Sequence, residues 1–91
     1  MMKKVVFDSS HVETITQLHT ELARMLDFPD YYGANLDALY DCLSGEIELP
    51  LTLIWKNYHM TKTKLGKDAD KVLKVMKDFA REDPDFTIKV E

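Results

Sequence analysis

The sequence predicts an α/β fold, a three-stranded parallel sheet packed by three to four helices. Three observations carry this reading. The run Leu51-Thr52-Leu53-Ile54-Trp55 is almost continuously apolar, which suits a strand covered on both faces, as in a parallel sheet. Segments with apolar residues three and four apart lie between this run and strand-like segments at either end of the chain. Strands that alternate with helices in this way build a parallel layer with right-handed crossovers.

The first strand is expected over residues 2–7, ending in a turn at Asp8-Ser9-Ser10. Beyond Thr14, the residues Ile15, Leu18, Leu22, Met25 and Leu26 fall at helical spacing. Thr14 and Gln17 form a capping box that opens this helix, and Pro29 lies beyond its end. Pro29-Asp30-Tyr31-Tyr32-Gly33 reads as a loop. Asn35 is a good N-cap for a short second helix from Leu36 to about Leu43. Leu36, Leu39 and Leu43 make its buried stripe, and Gly45 is placed to stop it.

Pro50 introduces the central strand. The polar stretch 57–67 has room for a short helix. Residues 68–81 form an amphipathic helix with Val72, Leu73, Val75, Met76 and Phe79 inward, closed by Pro84. Phe86, Ile88 and Val90 alternate with Thr87 and Lys89 in a last strand over residues 85–90.

A chain of 91 residues makes one domain, 1–91, with a modest core and no second lobe to close over a substrate. Of these residues 31% are charged, and the longest apolar runs fall far short of the roughly 20 residues that span a bilayer, so no membrane partner is expected. The apolar run near the start is three residues long, too short for a secretory leader, and the lone Cys42 cannot form an internal disulfide. Both point to the cytoplasm. The net charge of −4 disfavours nucleic acid and suits a basic partner.

The segment 31–45 stands out. Asp37 and Asp41 are one helical turn apart and share a face, away from the leucines. No Lys or Arg lies between Pro29 and Leu53 to neutralise them. Asp37 gains from the helix N-terminus, and Asp41 gains little. Tyr31, Tyr32 and Tyr40 flank the carboxylates. Tyrosines supply rigid contact area and carboxylates supply charge-assisted hydrogen bonds, a combination suited to filling a cationic cleft. Two aspartates on a helix face are also commonly just solvated.

The run Pro29-Asp30-Tyr31-Tyr32-Gly33-Ala34-Asn35-Leu36-Asp37-Ala38-Leu39-Tyr40-Asp41-Cys42-Leu43 resembles the signature of the barstar family, intracellular inhibitors of the secreted ribonuclease barnase. The likeness continues without gaps through Leu18-His19, Pro50-Leu51, Trp55, Val72-Leu73-Lys74-Val75 and Asp85-Phe86-Thr87-Ile88, and so covers nearly the whole chain. It implies a small parallel sheet packed by helices, a cis Leu49-Pro50 bond, a secreted basic ribonuclease as partner, no cofactor or metal, and a monomer when free. It also implies roles. Asp41 reaches the phosphate-binding pocket, Asp37 flanks it, Tyr31 packs on the nuclease rim and Gly33 permits close approach. Tyr32, Asn35, Leu36, Ala38, Tyr40, Ser44, Gly45 and Glu48 complete the main patch. Asp78 is an outlying acidic contact where the family has Glu.

The chain departs from the family pattern at four further places. Ala34 stands for a Glu, Tyr40 and Glu46 each stand for a Trp, and Pro84 takes the place of a second cysteine. The first three lie in or beside the contact patch and bear on which nuclease is recognised.

Other residues carry less. His11, His19 and His59 are far apart and offer no zinc spacing, and His19 reads as a packing histidine on the first helix. Cys42 reads as a small core or boundary thiol with its pKa raised by the adjacent carboxylate. Met25 and Met76 are core residues, and Lys62, Lys64 and Lys67 form a solvated basic loop. Two further readings stay open. Asp37 and Asp41 could form an acid–base pair of a small hydrolase, which would need a cleft between them. The fold could equally serve a different basic protein.

Overall fold

The computed structural model describes residues 3–91. Its elements run β1 (Lys3–Asp8), α1 (Ile15–Leu26), α2 (Leu36–Gly45), β2 (Leu51–Lys56), α3 (Tyr58–Leu65), α4 (Lys67–Glu82) and β3 (Phe86–Val90). The strands lie in the order β1-β2-β3, and both neighbouring pairs are parallel. The three-stranded parallel α/β architecture read from the sequence is therefore the observed one. Met2, placed in the first strand by the sequence, lies outside the described residues.

The register explains which side of the sheet carries the core. Val5 pairs with Leu53, Phe7 with Trp55, Leu51 with Phe86 and Leu53 with Ile88, so these side chains share one face. Leu53 and Trp55 are fully buried there. The other face carries Lys4, Val6, Thr52, Ile54, Thr87 and Lys89. Val6 is 42% exposed, and Ile54, although buried, stands outside the core cluster. The central strand is buried on both faces, as its continuous apolar run predicts, with Leu51, Leu53 and Trp55 in the helix-packed core and Thr52 and Ile54 buried on the other face.

Helix ends follow local chemistry. Thr14 caps α1, its hydroxyl accepting from the Gln17 N–H at 3.1 Å. The expected reciprocal bond is displaced by one residue, because Gln17 Oε1 accepts from the Glu13 N–H at 2.7 Å instead of from Thr14. α1 ends on Asp27 in the left-handed conformation. α2 stops at Gly45, as expected, yet without a left-handed glycine: Glu46 at φ −119° donates its N–H to the Cys42 carbonyl. The Leu49-Pro50 bond is cis.

The stretch 57–67 holds helix α3, entered through Asn57 at φ 62° and left through Gly66 at φ 63°, with Lys67 already opening α4. The basic loop expected there is thus helical. Lys62 pairs with Asp70 at 3.5 Å and Lys64 with Glu13 at 3.1 Å, which pins α3 to its surroundings. The turn after β1 is also more than a turn. Ser9 is fully buried, accepts from the Trp55 indole N–H at 2.7 Å and shares a hydrogen bond with Thr61. An indole N–H buried in the core requires such a partner.

Candidate functional site

The segment from Asp27 to Glu48 runs from the end of α1, through a loop, along α2 and out towards β2. Its inner side is fixed by packing. Leu39 and Leu43 are fully buried and Cys42 nearly so, while Leu36 is half-buried against the same core. Burial, and after it the nearby Glu46 and Asp41 charges, pushes the Cys42 thiol above its ordinary range. It is a core thiol with no activating base. Asn35 anchors the start of α2, its side-chain oxygen accepting from the Ala38 N–H at 2.8 Å. Its amide group donates to the Gly33 carbonyl at 3.3 Å. Asn35 is therefore largely committed to holding the loop–helix junction.

The loop itself is held from beneath. Tyr32 is half-buried, with its ring 4.9 Å from that of Phe28 and its hydroxyl 2.6 Å from His19 Nδ1. His19 is buried as expected, but it carries more than packing, because it bonds the loop. Ala34 adopts φ 52°, a left-handed conformation that turns the chain into α2. Gly33 shows no such φ. A Cβ there would approach the Asn35 side-chain amide nitrogen to 3.1 Å, so the side-chain cap of α2 limits what can occupy that position.

The outer side is acidic. Asp37, Asp41, Ser44, Gly45 and Glu48 are exposed, and Ala38 and Tyr40 are half-exposed. Between Arg24 and Lys56 the chain holds Asp27, Asp30, Asp37, Asp41, Glu46 and Glu48 and no further Lys or Arg. Among the described residues neither Asp37 nor Asp41 makes an ion pair or a side-chain hydrogen bond. Tyr31 is 76% exposed, so its ring is available to a partner, and its hydroxyl donates to Glu46 at 3.0 Å. Tyr40 stands edge-on to Phe79 of α4 and donates its hydroxyl to Glu82.

Asp78, the outlying member of the patch, is placed differently from the others. Lys74 donates to one of its carboxylate oxygens at 2.8 Å and Arg81 to the other. These cations, Lys74 foremost, hold its carboxyl below the usual range. Tyr31, Asp37, Asp41 and Glu48 are exposed along one loop–helix segment, whereas Asp78 lies on α4 in a cluster with Lys74 and Arg81 that carries a net positive charge. Glu46, read from the sequence as lying in or beside the patch, bonds Tyr31, and Glu82, which the sequence reading did not single out, bonds Tyr40. Glu82 lies 42 positions from Tyr40, and no local pattern announces that pairing.

The arrangement can accept cations and cannot readily enclose a substrate. Asp37 and Asp41 project from successive turns of one exposed helix face. An open recess of about 400 Å³ adjoins the loop, lined by residues that include Arg24, Asp27, Asp30, Tyr32 and Ala34, but it takes in neither carboxylate. Among the described residues no group of three or more His, Cys, Asp or Glu could hold a metal ion. No helix of the described chain is long and apolar enough to cross a membrane.

A small α/β layer presents an acidic helix beside an exposed tyrosine, an arrangement able to accept cations. The comparisons give this fold its family. The family model described as "Barstar (barnase inhibitor)" matches residues 2–91, and the chain belongs to that family. A protein of Bacillus subtilis (strain 168), named "Putative ribonuclease inhibitor YrdF", is 50% identical over 91 residues, covering 99% of this chain and 100% of the relative.

Proposed function

We propose that the protein is an intracellular inhibitor of a secreted basic ribonuclease, acting by seating α2 and the loop before it in the nuclease active site. The observation that carries the reading is the Asp37–Asp41 pair, exposed on one face of α2 with no cation against it among the described residues. Family membership and the inhibitor name of the Bacillus subtilis relative support the same reading.

In the proposed complex Asp41 occupies the place of an RNA phosphate and accepts several charge-assisted hydrogen bonds from Arg, Lys or His. Asp37 and Glu48 supply charge at the rim. Tyr31 packs on the rim, Tyr32 contributes the edge it leaves exposed, and Gly33 permits close approach. Asn35, Leu36 and Ala38 set the junction, Tyr40, Ser44 and Gly45 continue the patch along α2, and Asp78 lies at its margin. No step of this action breaks or forms a covalent bond, so the chain works without catalysis and without a cofactor.

A second reading keeps the fold and changes the partner. Glu46 and Tyr40, each where the family has Trp, and Ala34, where it has Glu, alter the patch chemistry enough to favour a basic protein other than barnase. The hydrolase reading is the weakest, since its two carboxylates stand on an exposed helix face. The experiment is a titration of secreted microbial ribonucleases, barnase among them, with wild type and Asp41→Ala. Stoichiometric inhibition lost in the variant supports the reading. Inhibition by the variant equal to wild type overturns the binding mode. Absence of any inhibited or captured ribonuclease overturns the function.

A further inference from the structure

We propose that the sheet face carrying Val6 and Ile54 is a second docking surface, and that its occupant is an amphipathic helix of another protein with Glu or Asp flanking its apolar seam. None of the residues involved belongs to α2 or to the loop before it, so the surface holds or fails separately from the inhibitor reading. Strand register places Lys4 and Val6 of β1, Ile54 and Lys56 of β2, and Lys89 of β3 on the face opposite Val5, Leu53 and Trp55. All four helices send buried apolar side chains into the core cluster that holds Leu53 and Trp55. Ile54 stands outside that cluster, and Val6 is 42% exposed. Parallel sheets normally bury both faces under helices. A helix is therefore the element that the Val6 face lacks among the described residues.

Charge selects the kind of helix. The chain as a whole carries −4, yet Lys4, Lys56 and Lys89 surround the Val6–Ile54 pair. All three are exposed, and none makes an ion pair among the described residues. Within the strands this face holds one carboxylate, Asp8, whose Oδ1 accepts from the Asn57 amide group at 2.8 Å and from the Ser10 N–H at 2.9 Å. Glu91 follows beyond the end of β3. A lysine lays its methylene stem on apolar surface and keeps its ammonium at the rim. The face thus offers an apolar floor with cationic edges, complementary to Leu or Ile set between acidic residues.

Size and shape favour a single helix over other occupants. The outer strands stand roughly 10 Å apart and the face runs roughly 17 Å along them. That seats one helix, about 10 Å across. A second copy packed face to face would bury far less than the roughly 1,200 Å² of a stable interface. A bilayer would meet Val6 as the one exposed large apolar side chain of this face among the described residues.

The test uses two designed helical peptides, one with a Leu seam flanked by Glu and a twin with Lys in place of every Glu, each titrated into isotope-labelled wild type. The acidic peptide is expected to shift the amides of Lys4, Val6, Ile54 and Lys89 and to leave Asp37 and Asp41 in place. The basic twin should leave the sheet residues unmoved. Lys4→Glu/Lys89→Glu should weaken the acidic peptide about tenfold at low salt and less at high salt. Val6→Ser should weaken it at least about threefold. Urea unfolding checks that the variants are folded, and the wild-type peptide map stands whether or not they are. Saturating acidic peptide should leave the inhibition of a barnase-type ribonuclease unchanged. If no ribonuclease is inhibited while the peptide map holds, the nuclease reading fails alone. Shifts centred on α2, an equal response of the sheet to both peptides, or no response to the acidic one overturns the proposal. So does a Val6-dependent dimer in sedimentation, or binding of phosphatidylglycerol vesicles in place of the peptide.

Discussion

His19 Nδ1 and the Tyr32 hydroxyl lie 2.6 Å apart, so a buried side chain of α1 holds the loop that leads into α2. The rings stand 5.8 Å apart at their centroids, and Phe28 supports Tyr32 from the other side. The position of the acidic face is thereby tied to the core through one polar bond. Tyr32→Phe keeps the ring packing and removes the hydroxyl, which strands the His19 nitrogen in a buried setting. A loss of about 1–3 kcal/mol is expected, the usual cost of an unsatisfied buried polar group. Urea unfolding of the variant measures it. An unchanged midpoint would mean that the bond contributes nothing net.

The same histidine sets a pH dependence. Burial lowers its pKa below the ordinary 6.5. The unfolded chain therefore takes up the proton first as pH falls, and acid favours unfolding. The contribution is whole above about pH 6.5 and declines below it by up to about 1.4 kcal/mol per pH unit, until the folded histidine also protonates. Exposed carboxylates with lowered pKa values act in a separate window. Asp8, bonded by Asn57, and Glu21, bonded by Arg24, lose their stabilising partners only below about pH 4, and contribute little at the surface. Urea midpoints between pH 7.5 and pH 5 should fall for wild type and stay nearly flat for His19→Gln. A parallel fall in the variant would assign the effect elsewhere.

The sheet, its parallel order and the course of α1, α2 and α4 were legible because each rests on a local pattern. Alternation marked β3, helical spacing marked α1 and α4, and Asn35 marked the start of α2. The stretch 57–67 was hard to assign because its helix has only two buried residues, Tyr58 and Thr61, and so almost no apolar stripe. The Ser9–Trp55–Thr61 network was invisible for a different reason. Polar residues near a strand end read as a turn, and only the tertiary fold brings Ser9 against residues 46 and 52 positions away. Asp37 and Asp41 were legible as an uncompensated pair from the absence of nearby cations. The fate of Asp78 could have been read from Lys74 and Arg81 at i−4 and i+3, a spacing that pairs charges on any helix.

Ala34 offers a test of the loop backbone. Its φ of 52° is costly for a residue with a Cβ and free for glycine. Glycine also enlarges the conformational freedom of the unfolded chain, which offsets part of the relief. Ala34→Gly should therefore leave stability unchanged or raise it by up to about 1 kcal/mol, whereas Ala34→Val should lower it by about 1–2 kcal/mol. Thermal or urea unfolding of the two variants decides. A clear loss in the glycine variant would show that the Ala34 methyl makes a contact that outweighs its backbone strain.

The strongest expected effect lies at Asp41. Its side chain is exposed in the second turn of α2 and has no partner among the described residues, so its removal should cost the isolated protein little. Asp41→Ala should unfold within about 0.5 kcal/mol of wild type, as surface substitutions usually do. In the proposed complex the same carboxylate is desolvated among the cations that would hold an RNA phosphate. Deleting it leaves those cations facing one another without a counter-charge, a loss of several kcal/mol. The barnase–barstar pair is the reference example for such coupling, so the magnitude comes with the family. Asp37→Ala and Glu48→Ala should act mainly at long range, slowing association at low salt and little at high salt. Stopped-flow association and inhibition assays at two ionic strengths separate the two behaviours. Dissociation much faster in Asp41→Ala at both salt concentrations marks a central contact. If instead Asp41→Ala and Asp37→Ala differ from wild type only at low salt, α2 steers the partner without entering its active site.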